Sequence, residues 1–247
     1  MPRIDLSDTA IVISVKVDSE DRLANLDRLR AFYARFCDGA EIRVVEQGEE
    51  PRLVSDPASG FHSHFLKDGG LNWKTRNMNF GAKQSGREIF LMSDCDTAPH
   101  PRALADGLAR IRNGCAFVHL YDGVVTNISK RLAAELTDWD DLLSRVGHFS
   151  PDEVDPRQSA EDPDILPLYG NADYRAVGGA FLCRREGFFD VGGWNENLVS
   201  YGFEDQEFDA RVRGLGHPFP RIEGHNLYHF EHARGPESRY SEIAQGN

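Results

Sequence analysis

Cysteine is scarce in this chain of 247 residues, and Cys37, Cys95, Cys115 and Cys183 lie far apart. No close pair suggests a zinc knuckle, and four scattered thiols lead us to expect a reducing, cytoplasmic setting. Basic residues are also few: 28 Lys and Arg stand against 40 Asp and Glu, for a formal net charge of -12. That balance argues against a nucleic-acid surface and against broad attraction to anionic lipid. An anionic small substrate stays open, because a bound metal inverts the local field. No apolar run is long enough to span a bilayer, and Met1 to Asp8 has neither the basic nor the apolar segment of a signal peptide. The inner face of a membrane would then be reached only through partners. No internal repeat is present.

Hydrophobic residues make up 40% of the chain, enough for a sizeable core. Thr9 to Val17 is rich in β-branched residues and reads as a first strand. Leu23, Leu26, Leu29, Phe32, Tyr33 and Phe36 recur at helical spacing, so Asp21 to Phe36 is predicted helical, with Ser19 or Asp21 at its start. Strands are predicted at Glu41 to Glu46, Glu88 to Met92, Ala116 to Tyr121 and Ala176 to Arg184. Helices are predicted at Asn72 to Gln84, Pro101 to Asn113 and Glu204 to Arg213, and Arg185 to Asp190 reads as the start of a helical turn. The alternation predicts an α/β fold with a mostly parallel sheet and helices on both faces. Residues 151–167 hold six carboxylates and four prolines and read as an exposed acidic loop.

Three groups of residues carry candidate chemistry. The apolar run Ile89-Phe90-Leu91-Met92 ends in Ser93-Asp94-Cys95-Asp96. Residues one apart on an extended strand share a face, so Asp94 and Asp96 are predicted to meet one cation while Cys95 points into the core. Hard oxygen ligands suit magnesium, manganese or calcium, and a metal diphosphate would offset two buried carboxylates. A plain turn is the simpler alternative. The second group is Gly192-Gly193-Trp194-Asn195-Glu196-Asn197 with Tyr201-Gly202-Phe203-Glu204-Asp205. Trp194 and Tyr201 offer flat faces to a sugar, and Glu204 and Asp205 stand where a loop enters a helix. A helix cap with solvated charges is the alternative there. The third group is His225-Asn226-Leu227-Tyr228-His229-Phe230-Glu231-His232. One histidine nitrogen joining the carboxylates favours Mn2+ over Mg2+. Three histidines would suggest zinc, but strand periodicity does not place all of them together.

In this order the three groups resemble the nucleotide-sugar glycosyltransferases of the GT-A fold. The resemblance is strongest to the branch holding the β-1,4-galactosyltransferases and the bacterial chondroitin polymerase domains, and it runs from Ile11 to about Ser238. Arg76-Asn77 and Asp94-Cys95-Asp96-Thr97-Ala98-Pro99 look like the donor half. Gly193-Trp194-Asn195-Glu196-Asn197 and Gly202-Phe203-Glu204-Asp205 look like the acceptor half, and Tyr228-His229-Phe230-Glu231 like the late metal-ligand segment. The resemblance implies a single domain over residues 1–247, with a donor half (1–121), a variable acidic loop region (122–175) and an acceptor and catalytic half (176–247). It implies metal ligation by Asp94, Asp96 and His229. Donor contacts are implied at Val17, Asp18, Glu46, Arg76, Asp94 and Gly179. Asp205 would be the base of an inverting transfer, and Glu204, Trp194 and Tyr201 would hold the acceptor. Where galactosyltransferases often read Trp-Gly-Gly before Glu-Asp, this chain reads Tyr201-Gly202-Phe203, so the acceptor does not carry over.

The implied reaction moves a sugar from a UDP-sugar to a glycan or glycolipid hydroxyl, with GDP-mannose as an open donor. Glycoside hydrolysis also needs two carboxylates but no donor half. A sugar nucleotidyltransferase would favour a basic, glycine-rich loop near the first strand, where Val15-Lys16-Val17-Asp18-Ser19 supplies one lysine. A non-catalytic sugar- or nucleotide-binding module is the remaining alternative.

Overall fold

The computed structural model describes residues 2–136, 138–154, 162–200 and 202–233. Six strands form the main sheet: β2 (Thr9–Lys16), β4 (Glu41–Gly48), β5 (Phe61–Lys67), β6 (Ile89–Asp94), β8 (Phe117–His119) and β11 (Ala180–Arg184), in the order β5-β4-β2-β6-β11-β8. The first four run parallel, and β11 is antiparallel to both β6 and β8. A two-stranded pair, β1 (Ile4–Asp5) with β3 (Cys37–Asp38), closes the start of the chain. The mostly parallel sheet is as the sequence predicts. The edge strand β5 is an addition. Only Phe61 is buried in it, so it lacks the continuous apolar signal of a central strand.

Side chains alternate across the central strands and build two cores. Ile11, Ile13 and Val15 of β2 face one way, with Ile89 and Leu91 of β6; Ala10, Val12, Phe90 and Met92 face the other. Helices α1 (Glu20–Phe36) and α3 (Pro101–Arg112) bury Leu26, Leu29, Phe32, Leu104 and Leu108 in the first core. The second core is covered by α2 (Lys74–Lys83), α6 (Arg185–Asp190) and α7 (Glu204–Gly214), through Met78, Phe188, Phe208 and Val212.

The acidic region holds more structure than its composition suggests. Strand β9 (Val125–Ile128), helices α4 (Lys130–Glu135) and α5 (Trp139–Arg145) and strand β10 (Ile165–Tyr169) fall within 122–175, anchored by buried Leu132, Trp139, Leu142 and Ile165. The predicted loop is thus corrected at its C-terminal end, and residues 155–161 lie outside the described residues. Four strands form a second sheet in the order β10-β9-β12-β7, with β7 at Thr97–Pro99 and β12 at Leu227–Phe230. This sheet is what joins distant parts of the sequence. Its register sets His229 opposite Thr97, and the Phe230 amide donates to the Asp96 carbonyl at 2.8 Å.

Candidate active site

The C-terminal ends of β2 and β6 define the site. After β2 the chain adds β4 and β5 on one side, then returns to place β6 on the other. Ligands of open α/β sheets bind where the strand order reverses in this way.

Asp96 and the histidines converge there. One ligand atom from each of Asp96, His229 and His232 lies within 4.8 Å of the others. The β7–β12 pairing supplies the first two, and the chain just past β12 supplies His232. Buried Asn25 of α1 fixes that exit by donating to the Phe230 carbonyl at 3.0 Å. His229 Nδ1 sits 2.8 Å from Asn127 Oδ1, and His232 Nδ1 lies 2.8 Å from the Ala233 carbonyl. With an oxygen acceptor at each Nδ1, each ring can keep its proton there and would offer Nε2 to a metal, which at His232 displaces the proton shared with Asp96. His232 Nε2 stands 3.1 Å from Asp96 Oδ2. Burial alone would raise the Asp96 pKa, but the His232 hydrogen bond, His229 and Arg22 hold it well below the usual carboxylate range. The same hydrogen bond raises the pKa of His232 against its burial. Two imidazoles and a carboxylate give a mixed nitrogen and oxygen donor set that could hold a divalent transition-metal ion such as Mn2+.

Asp94 departs from the prediction. The strand ends at Asp94 and the chain turns, so the two carboxylates part rather than share a face. Asp94 Oδ1 meets Lys74 Nζ at 2.8 Å, and it is absent from the histidine cluster. His232 takes the third place in that cluster. Cys95 does point into the core, as expected.

Lys74 organises a second cluster. Its ammonium lies 2.8 Å from Asp94 Oδ1, 3.1 Å from Glu204 Oε1 and 3.4 Å from Asp205 Oδ2. Gln47 sets the start of α2, accepting from the Trp73 amide at 2.9 Å and from Asn77 Nδ2 at 3.1 Å. Glu204 and Asp205 open α7, whose entry uses Phe203 at φ 65°. Glu204 is 2% exposed and also accepts from the Gly202 amide at 2.8 Å. Three carboxylates around one ammonium leave surplus negative charge, and their pKa values separate. Burial would raise Glu204, but Lys74 and the backbone amides hold it low. Asp205 is pushed up to about 7 by burial, with Glu204 and Asp94 adding to the rise against the pull of Lys74. Lys74 stays protonated because the three carboxylates outweigh its burial.

Asp205 faces a small cavity walled by Lys74, Asp94, Gly179, Phe181 and Trp194. The backbone of Gly178 lies directly beneath it. A Cβ at Gly178 would stand 2.3 Å from Asp205 Oδ2, and Tyr121 pins the spot by donating to the Gly178 carbonyl at 2.6 Å. Gly178→Ala is therefore expected to displace the carboxylate and leave the fold intact. Any turnover that depends on Asp205 should fall at least tenfold, since a misplacement of about 1 Å can cost a hundredfold. The melting temperature should hold within a few degrees. Turnover measured beside a thermal melt checks both.

The remaining predicted residues fall as follows. Gly179 accepts from the Asp94 amide and from Thr97 Oγ1 at 2.9 and 2.8 Å, which ties β11 to the acidic turn. Val17 and Asp18 follow β2; Val17 packs on the first core, and Asp18 Oδ1 accepts from Arg22 Nε at 3.2 Å. Glu46 is fully buried, and its two oxygens accept the Arg52 and Leu53 amides at 2.6 and 3.1 Å. Arg76 has partners of its own. It stacks over Trp73 and pairs with Asp68 at 3.6 Å, while Lys74, two residues earlier, points into the site. Trp194 is no open platform: it is 3% exposed and packs on Phe208 at 4.7 Å between ring centres. Asn79 holds it through its amide at 2.8 Å and its carbonyl at 2.9 Å. Its buried Nε1–H has no partner among the described residues. Tyr201 lies outside the described residues. Lys74, His232 and Gly178 were missed as site residues. Lys74 carried a signal, since it falls in the first turn of the predicted helix Asn72 to Gln84, two residues before Arg76.

The fold is that of the GT-A glycosyltransferases. Within it, residues 168–233 match the family described as the N-terminal domain of galactosyltransferase, a stretch holding Asp205, His229 and His232. The catalytic domain of Drosophila β-1,4-galactosyltransferase 7, solved with xylobiose, aligns with TM-score 0.51 and 16% identity, over 97% of this chain and 79% of that one. A mutant of that enzyme, solved with manganese, UDP-Gal and xylobiose, aligns with TM-score 0.49 and 17% identity over 88% of this chain and 64% of that one. A mannosyltransferase from Pyrobaculum calidifontis in complex with GDP-Man and Mn2+ aligns with TM-score 0.53 and 12% identity, over 96% of this chain and 60% of that one. The chain thus spans less than two thirds of two of these three. No curated protein matches it by sequence. Among the described residues no helix is long and apolar enough to cross a membrane.

Proposed function

We propose that the chain is a metal-dependent, inverting glycosyltransferase that moves a sugar from a UDP-sugar to a hydroxyl of a glycan or glycolipid. The observation that carries this reading is the pairing, within a GT-A fold, of the Asp96–His229–His232 cluster with a half-buried Asp205 whose pKa is raised to about 7. Asp205 is 21% exposed at its side chain, so it reaches substrate, and it titrates where a general base works best. It takes the proton from the acceptor hydroxyl as that oxygen attacks the anomeric carbon. Glu204, ionised and fixed by Lys74 and the Gly202 amide, accepts a second hydroxyl of the acceptor. Trp194 walls the same cavity and would shape the space for the acceptor sugar. Asp96, His229 and His232 would hold Mn2+, which neutralises charge on the departing diphosphate when bound. Mn2+ and a nucleotide sugar are the ligands of the Pyrobaculum mannosyltransferase, which makes Mn2+ the first ion to test and GDP-mannose a second donor. The four cysteines are thiols, in keeping with a reducing, cytoplasmic location.

The test is incubation with a panel of UDP- and GDP-sugars and Mn2+. Release of the nucleoside diphosphate is expected from one donor, slowly with water as acceptor. A folded protein that releases none, yet joins a sugar phosphate to a nucleoside triphosphate, is instead a nucleotidyltransferase.

A further inference from the structure

Arg22 occupies a position that the mechanism above does not use. It stands in the first turn of α1, between the end of β2 and the acidic turn after β6. Its Nη1 lies 3.3 Å from Asp96 Oδ2 and 3.5 Å from Cys95 Sγ, and its Nε lies 3.2 Å from Asp18 Oδ1. Its side chain is 19% exposed. His232 Nε2 approaches the same oxygen of Asp96 at 3.1 Å.

One carboxylate oxygen therefore already serves a guanidinium where a divalent ion must also bind. Arg22 cannot lose its charge by giving up a proton. An ion bound by Asp96, His229 and His232 would lie beside a fixed positive charge, and in a partly buried setting that repulsion is weakly screened. An anion bridging both cations removes the penalty. The guanidinium fork matches phosphate oxygens, and the crevice at the ends of β2 and β6 is where a diphosphate would lie.

We propose that Arg22 competes with the divalent ion for Asp96 and pairs with the diphosphate of the donor, so that metal and nucleotide bind tightly only together. This role rests on the glycosyltransferase reading. It makes Arg22 a donor-binding residue and a source of cooperativity between ion and nucleotide.

The inference predicts effects of opposite sign in one variant. In calorimetric titrations, Arg22→Gln should bind Mn2+ alone about fivefold more tightly, and UDP or GDP in the presence of Mn2+ about tenfold more weakly, than the wild type. Arg22→Lys keeps the charge and loses the fork. It should bind Mn2+ within about twofold of the wild type and the nucleotide with an intermediate loss. Weaker binding of both ligands in Arg22→Gln would mark Arg22 as a structural partner of Asp96 and overturn the proposal. Unchanged nucleotide binding in both variants would overturn it as well. A wild-type protein that binds neither UDP nor GDP with Mn2+ is a different failure, and it removes the glycosyltransferase reading itself.

Discussion

Asp205→Asn is expected to slow sugar transfer about a thousandfold, in the middle of the range for loss of a general base. Binding of the nucleotide with Mn2+ should stay within a few-fold of the wild type. Asn keeps the shape of Asp and cannot accept the proton. Lys74 retains two carboxylate partners in Asp94 and Glu204, so the cluster survives. The wild-type rate should carry an acid limb near pH 7, rising with pH as Asp205 loses its proton, because burial and its acidic neighbours hold its pKa at about 7. Residual transfer by Asp205→Asn should lack that limb. Steady-state kinetics from pH 5.5 to 9, beside a binding titration, reads both effects. Normal transfer by the variant, or loss of nucleotide binding with it, removes Asp205 from the role of base.

Lys74→Met should give the second large effect, on stability and activity together. The ammonium is buried among three carboxylates at 2.8, 3.1 and 3.4 Å. Removing one partner of a buried charge group leaves the others uncompensated, at a cost of about 3 kcal/mol. For a domain of this size that is a drop of roughly 6–12 °C in melting temperature. Without Lys74 the Asp205 pKa climbs further, since its main opposing influence is gone. Residual activity should therefore need a higher pH. Asp94→Asn in the same background removes part of the unpaired charge and should recover part of the melting temperature. Equal melting temperatures for Lys74→Met and the wild type would show that the cluster is solvated.

Parts of this structure were legible in the sequence for identifiable reasons. The β-branched run of β2 and the apolar run of β6 read as strands because they are buried on both faces. Helix α1 reads from the spacing of Leu26, Leu29, Phe32 and Phe36. The second sheet did not read. Its strands have three to five residues, and β7 is Thr97-Ala98-Pro99, whose proline argues against a strand. That sheet sets Asp96 beside His229, so the convergence rests on a feature invisible to periodicity. Asp94, Asp96, Glu204 and Asp205 drew attention because carboxylates at such places are costly. Their counter-ion did not, because a lysine at a helix start usually reads as solvated. His232 was passed over because strand alternation stops at Phe230, and the turn beyond brings it back to Asp96. The resemblance implies donor contacts at Arg76 and Glu46; the pairing of Arg76 with Asp68 and the two amides that Glu46 accepts are contacts that only the fold creates.

The convergence of Asp96, His229 and His232 on one ion is tested most directly by thermal melts with Mn2+ and UDP or GDP. The wild type should rise more with ion and nucleotide together than with either alone, and the joint rise should vanish in both Asp96→Ala and His232→Ala. An undiminished joint rise in His232→Ala would place the ion elsewhere and contradict the site described for this chain.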